Sequence, residues 1–174
     1  MDLMEVAGRM LGAHPAAVTA EYADQDIDGS SHSGRFVLMD AGQVWLNSRT
    51  DGFQQMSGPG GSETRSGRKL IDRSEHGIPF LGMRNPGTML VPRLAYLWAY
   101  SAPYRLADPV RVTGSIAEVP LVSLEHPGLG GRLRVDLAHG HILDFADIHG
   151  HTTLTDVRFQ VSGPDLALLQ RVRG

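Results

Sequence analysis

Apolar and polar residues alternate with a period of two through the last third of the chain. In the stretch RLRVDLAHGHILDFADIHGHTTLTDVRFQV (132–161), Leu133, Val135 and Leu137 alternate with Arg134 and Asp136. Thr155, Val157, Phe159 and Val161 alternate with Asp156, Arg158 and Gln160. A row of this kind has one dry face and one wet face. Gly140 and Gly150 interrupt it where turns can form, since a residue without a Cβ takes positive φ freely. The pattern predicts three antiparallel strands joined by two short turns. The same period recurs earlier. Val18, Ala20 and Tyr22 alternate with Thr19, Glu21 and Ala23, and the runs 35–39, 43–48 and 53–56 are separated by turn residues at 40–42 and 50–52. That spacing suits an up-and-down sheet. Further short strands are expected at 69–72, 78–81, 110–119 and 121–124, with Gly114 as a bulge and Pro120 limiting pairing.

Three segments break the period. Residues 2–12 form an amphipathic helix opened by Asp2, with Glu5 placed to complete a capping box and Leu3, Val6, Ala7, Met10 and Leu11 on one face. Residues 90–100, LVPRLAYLWAY, read as a central helix with Pro92 in its first turn and Leu94, Leu97 and Trp98 sharing a face. Pro164-Asp165 opens a short C-terminal helix. Residues 57–68, SGPGGSETRSGR, hold four glycines and a proline and read as a mobile glycine-rich loop or a long hairpin connection. There is no internal repeat and no linker long enough to divide 174 residues. The expectation is a single domain over 1–174. Its class is α+β or mostly β, one strongly curved antiparallel sheet with N-terminal, central and C-terminal helices.

This arrangement resembles the LolA-like lipoprotein-carrier family, and more closely its diverged actinobacterial-type members. Three features carry the resemblance. A helix leads into a strand and then SGRFVLMDAGQVWL (33–46), similar to the family's opening hairpin. The apolar segment MLVPRLAYLW (89–98) precedes VRVTGSIAEVPLVSLEHP and VDLAHGHILDF. The chain closes with the strand LTDVRFQV (154–161) and a terminal helix. The likeness covers about 120 residues in outline. It implies an incomplete β-barrel wrapped around helices, with an apolar cavity for acyl chains. No arginine here matches a carrier residue of the family.

The bulk composition narrows the classes. The hydrophobic fraction is 41%, the charged fraction 20% and the net charge −3, values of a folded chain rather than a disordered one. An acidic balance gives no nucleic-acid footprint. With no cysteine, disulfides, thiol nucleophiles and thiolate metal sites are excluded. The N-terminus lacks the charged and apolar regions of a signal peptide, and no run of about 18 apolar residues exists. The literal reading is a soluble cytoplasmic protein, and a mature chain trimmed of a leader would read the same. Lys69 is the only lysine among 16 basic residues, a bias expected of a GC-rich genome.

Histidine is the one reactive residue type that stands out. The two H-x-H pairs, His139/His141 and His149/His151, each offer two imidazoles to a metal, with Asp136 or His126 near the first and Asp147 or Asp156 near the second. They flank a strand, whose seven residues at about 3.3 Å each keep the pairs roughly 23 Å apart. Exposed hairpin histidines are the plain alternative. Asp24, Asp26, Asp28 and Gly29 match the first half of a calcium loop, but Arg35 stands where the bidentate glutamate belongs. No phosphate-loop lysine follows the glycines, and neither GSSHSG nor SGPGGS is a nucleophile elbow.

Aromatic residues supply the remaining hint. Trp45, Phe53, Phe80, Leu97, Trp98, Phe145 and Phe159 would line one interior if the sheet curves around the central helix, either as plain core or as the wall of a cavity. The reading is a non-enzymatic binding protein for an apolar small molecule or acylated partner, with Arg35, Arg93 and Arg134 at the rim and no cofactor. Two alternatives stand beside it: a small metal-dependent enzyme using one H-x-H pair, and a regulatory protein-interaction module docking through a sheet edge or the 57–68 loop.

Overall fold

The computed structural model describes residues 1–80, 82–126 and 128–174. Among these, twelve antiparallel strands form one sheet that does not close into a barrel. They are β1 (Ala17–Asp26), β2 (Ser31–Met39), β3 (Val44–Arg49), β4 (Phe53–Gly58), β5 (Gly61–Ser66), β6 (Lys69–Ser74), β7 (Tyr104–Leu106), β8 (Arg111–Thr113), β9 (Ile116–Ser123), β10 (Gly130–Asp136), β11 (Ile142–Asp147) and β12 (Gly150–Arg158). Their order across the sheet is β6-β5-β4-β3-β2-β1-β12-β11-β10-β9-β7, with β8 also on β9. Two meanders therefore meet at one long-range ladder, β1 against β12. The helices are α1 (Leu3–Gly12), α2 (Pro86–Leu90) and α3 (Gly163–Arg173). The expected mostly-β class with N-terminal, central and C-terminal helices is what the chain adopts.

Asp2 and Glu5 cap α1 reciprocally, so two backbone N–H groups of its first turn are satisfied. Val6 and Met10 bury themselves in the concave side of the sheet, together with Val18, Ala20 and Tyr22 of β1, Phe36 and Leu38 of β2, and Phe145 of β11. The segment between β6 and β7 covers this face with Phe80, Met89, Leu90, Val91 and Leu97. Phe36 stacks on Trp45 at 5.8 Å, and Phe80 stands edge-on to both at 5.9 and 6.2 Å, the offset and perpendicular geometries that ring quadrupoles favour. A Cβ on Gly87 would come within 2.7 Å of Phe80, so α2 can lie this close to the rings only with glycine there. The convex face has its own smaller core, Val37, Val44, Leu46 and Met56 under Leu169 and Val172 of α3. Ser162 caps α3, and the buried Asp165 accepts a 2.8 Å bond from Arg35.

Four local expectations change. Of the two readings for 57–68, the hairpin holds and the loop does not: these residues form most of the β4–β5 hairpin, turning at Pro59-Gly60. Their glycines serve close approach: a Cβ on Gly58 would run into the Val172 carbonyl oxygen, under the C-terminus of α3. Residues 90–100 are not one helix. Pro92 cannot continue α2, and the chain follows with single 3-10 turns at Pro92–Leu94 and Tyr96–Trp98. Residues 78–80 run irregularly beside β4, with Ile78 N–H donating to Ser57 Oγ at 2.7 Å; Leu81 lies outside the described residues. Gly114, at φ 60°, turns the β8–β9 hairpin instead of forming a bulge. One bulge is at Asp156, φ 50°, where Asp156 and Val157 of β12 lie opposite Ala20 of β1. It moves the inward row from Thr152 and Leu154 to Val157. The β10–β11 and β5–β6 ladders shift register too.

Replacing Gly58 with alanine is expected to destabilise the protein by about 1–3 kcal/mol, the usual cost of overpacking. Gly8→Ala, in the interior of α1 with no described atom within 4 Å of the added methyl, is expected to stabilise it by about 0.5–1 kcal/mol. Urea denaturation of the two variants checks both signs at once.

Candidate functional site

The alternation that builds the core also builds the site. On β1 the inward row runs Val18, Ala20, Tyr22 and continues to Asp24 and Asp26. On β2 it runs Leu38, Phe36, Gly34, His32, and on β3 Trp45, Asn47, Arg49, as the paired registers require. Each row is apolar toward α1 and polar at the opposite end, so the polar residues gather at one mouth of the curved sheet. A cavity of about 500 Å³ opens there, lined by Tyr22, Asn47, Arg49, Phe53, Met83 and Tyr104 among others. That volume falls within the roughly 300–1,000 Å³ typical of small-molecule pockets.

Arg84, in the loop before α2, is the electrostatic centre of the mouth. It bonds Asp24 Oδ1 at 3.1 Å and Asp26 Oδ1 at 2.5 Å, and lies 3.6 Å from Asp147 Oδ1. Thr152 Oγ1 also donates to Asp24. One guanidinium thus ties β1 and the end of β11 to the covering segment. Hydrogen bonding from Arg84 holds the Asp26 carboxyl below its ordinary range. Tyr22 donates to Asn47 Oδ1 at 2.8 Å, and burial pushes its phenol upward. Arg49 lies over the Phe53 ring at 5.5 Å and pairs with Asp51.

The acidic motif therefore has a definite role. Asp24 and Asp26 are on β1 and turn toward Arg84 rather than forming the first half of a calcium loop, while Asp28 accepts from Ser30 N–H in the turn beyond. Among the described residues, the only group of three side chains able to converge on a metal is Asp24, Asp26 and His32, and Arg84 already occupies one oxygen of each aspartate.

The histidine pairs do not converge. His139 bonds Asp136 at 2.7 Å. His141 is 1% exposed, and among the described residues neither ring nitrogen finds a hydrogen-bond partner. Their rings lie nearly parallel, 5.9 Å apart, beside Phe159. At the other end of β11, His149 lines the mouth and His151 bonds Asp144 at 2.8 Å on the outer face. Of the aromatic set, Trp45, Phe80, Leu97 and Phe145 are in the concave core, with Trp98 packed against it. Phe53 lines the mouth, while Phe159 is 48% exposed at the far end. None of the three expected rim arginines reaches the mouth. Arg35 is under α3, Arg93 is on the covering segment, and Arg134 is on the outer surface of β10. Arg49 and Arg84 take that place. For Arg49 the sequence signal is the polar continuation of an alternating row; for Arg84 there is none.

No family model matches the chain, and no curated protein matches it. Solved structures do. An uncharacterized conserved protein from Thermus thermophilus overlays with a TM-score of 0.57 at 11% identity, covering 97% of this chain and 92% of that one. MucB overlays at 0.50 and 14% identity, covering 94% of this chain and 61% of its own. These likenesses define the fold. A LolA superfamily protein from Nitrosomonas europaea is a more distant neighbour, at TM-score 0.38 and 6% identity over 95% of this chain and 97% of that one. Among the described residues, no helix is long and apolar enough to cross a membrane.

Two pH profiles follow. Asp26, held low, contributes stability that is present above its ordinary value of 3.8 and lost as pH falls through its folded value. Arg84→Met is therefore expected to lower the thermal midpoint by several degrees at pH 7, with the deficit shrinking below pH 4. Burial lowers the pKa of His141 from its ordinary 6.5, with the nearby Leu90 backbone pulling weakly the other way. Below 6.5 the unfolded chain binds a proton that the folded one refuses, so stability falls with pH there. His141→Leu is expected to flatten the stability slope between pH 7 and 5, measured by denaturation at each pH.

Proposed function

We propose that the protein is a non-enzymatic binding protein, a diverged LolA-like carrier of actinobacterial type, that holds an apolar lipid or acyl ligand in the concavity of its half-barrel. The observation that carries this reading is the continuity of the mouth with the concave core. The mouth is walled by Tyr22, Phe53, Met83, Pro86, Pro103 and Tyr104, and Tyr22 and Tyr104 also belong to the apolar cluster that contains Phe36, Trp45 and Phe80. The cover over that cluster is a five-residue helix and two 3-10 turns. An irregular cover has few internal hydrogen bonds to break when it moves. An acyl chain entering between Phe53 and Met83 would gain about 0.8 kcal/mol for each methylene taken out of water. Arg49 stands at the rim, where a polar or anionic head would remain. The single lysine in a chain rich in arginine fits a GC-rich source.

A second reading, a protein-interaction module, has one observation behind it. β6 is an edge strand, its outer side unpaired among the described residues, and Leu70 and Ile71 are exposed along it. An extended segment of a partner could add to that edge.

Native mass spectrometry set against the denatured mass is the decisive measurement. The expected result is an added mass of several hundred daltons that extracts into organic solvent, together with saturable one-to-one uptake of a fluorescent long-chain fatty acid. Met83→Asp should weaken that uptake about tenfold, by placing a charge against the chain. A bare polypeptide mass with no uptake would overturn the carrier reading, and stoichiometric zinc or calcium would replace it with a metal site.

A further inference from the structure

The covering segment turns its apolar side chains outward as well as inward. Val91, Ala95, Leu97 and Tyr104 are in the concave core, and Ala102 is buried beside them. Between them, Leu94, Tyr96 and Tyr100 face solvent at 49%, 50% and 97% exposure, with Trp98 part-exposed in the same row. An ordinary surface strand or turn would carry polar residues there. The polar atoms of Tyr96 and Trp98 are satisfied within the segment, whereas Tyr100 Oη bonds no described residue and is left to water or a head group. Tyr96 Oη and Ser101 Oγ share a 2.5 Å hydrogen bond, and Trp98 Nε1 donates to the Pro92 carbonyl at 2.6 Å. Burying these rings in an apolar or interfacial medium therefore strands little hydrogen-bonding capacity.

The covering segment itself carries charge of one sign only. From residue 76 to residue 107 the chain contains no aspartate or glutamate, although it has 19 acidic residues in all. Arg93 and Arg105 flank the row and are exposed, whereas Arg84 is spent on the aspartates of the mouth. The row's surroundings are mixed. The helix α1 adds exposed Met4 but also Asp2 and Glu5. Glu125 follows Leu124, whose N–H bonds the Pro103 carbonyl. Asp40, paired with Arg173, precedes the Ala41 carbonyl that Arg93 reaches. Aromatic residues flanked by cations are the composition that settles at a lipid–water interface, and exposed arginines are drawn to anionic head groups.

We propose that the outward row Leu94–Tyr96–Trp98–Tyr100, flanked by Arg93 and Arg105, is a docking surface for an anionic lipid bilayer. It uses residues on the outside of the cover, different from those that wall the ligand cavity, and its occupant is the membrane surface itself. Seated there, the cover would face lipid on one side and the concave core on the other.

The test is co-sedimentation of the whole chain with vesicles of phosphatidylcholine alone or mixed with phosphatidylglycerol. Binding is expected to the mixed vesicles at low salt, with Trp98 emission shifting to the blue while the buried Trp45 stays constant. Arg93→Gln and Arg105→Gln should each weaken binding about fivefold, and the double variant Tyr96→Ser/Tyr100→Ser should abolish it. Tyr100 is fully exposed and Tyr96 half-exposed with one bond to Ser101, so circular dichroism should be unchanged and the melting temperature should fall only slightly. Tyr100→Ser alone, which breaks no described contact, should weaken binding with no change in melting. Met83→Asp, inside the cavity, should leave vesicle binding intact, so failure of acyl uptake and failure of docking are read separately. Absence of binding, equal binding to both vesicle types, or indifference to the tyrosine changes would overturn the proposal. So would self-association that the double variant removes, since the row would then be a contact between copies of the chain.

Discussion

A curved sheet that does not close on itself has a concave face it cannot cover, and everything else in this molecule answers that constraint. Closed barrels fill their interior with their own inward rows. Here the rows of β1, β2, β3, β11 and β12 need chain from elsewhere, and residues between β6 and β7 supply it with Phe80, Met89, Leu90 and Leu97, while α1 closes the far end with Val6 and Met10. The stack of Phe36, Trp45 and Phe80 is where cover and sheet meet most closely. Gly87 permits that contact, and Arg84 fastens the start of the cover to β1 by charge rather than by packing. The cover is thus held by an apolar contact along its length and an ionic one at the mouth, and the two respond to different conditions.

The same strands carry a second core on their other side. Val37, Val44, Leu46 and Met56 alternate with Phe36, Leu38, Trp45 and Ser57 along β2, β3 and β4, and α3 covers them. This part of the sheet is buried on both faces and is the rigid body of the molecule. Toward β6 and toward β7 and β8 the sheet thins to exposed edges. The centre is buried on both faces while the cover is lightly built, so the cover can shift without disturbing the strands that wall the mouth.

Period-two alternation makes the strands legible wherever one face is wet. The closing meander, the opening hairpin and the capping box of α1 all follow from residues a reader can point to. Glycine misleads in both directions. At Gly58 and Gly61 it marks backbone contact with α3 and with the end of β6, not freedom, and no local pattern distinguishes the two uses. The bulge at Asp156 depends on its partner strand and leaves no sign in composition; Phe159 keeps the phase of Val157 but lies one residue past the end of β12, where the sheet no longer covers it. Pro92 has the look of a helix start, although it follows the helix it ends. The mouth is hidden for a related reason. Its aspartates are spread over β1 and β11, and Arg84 is the group that makes them a cluster, 58 residues beyond Asp26. Charge partners at such separations belong to topology, which the pattern alone does not order.

The ladder between β1 and β12 has a consequence for how the chain reaches this state. Apart from that junction, the short β7 strand and the cover, each strand pairs with its neighbour in sequence, so two meanders can assemble from local contacts with little loop-closure entropy. Joining Glu21 to Thr155 encloses most of the polypeptide in one loop, and the entropy of closing it falls on a single seam. That seam lies in the middle of the finished sheet, and Asp24, at its mouth end, pairs with Thr152 and is also held by Arg84. The costliest contact to close and the wall of the mouth are therefore the same stretch of backbone: unless the two halves meet, the cavity does not exist.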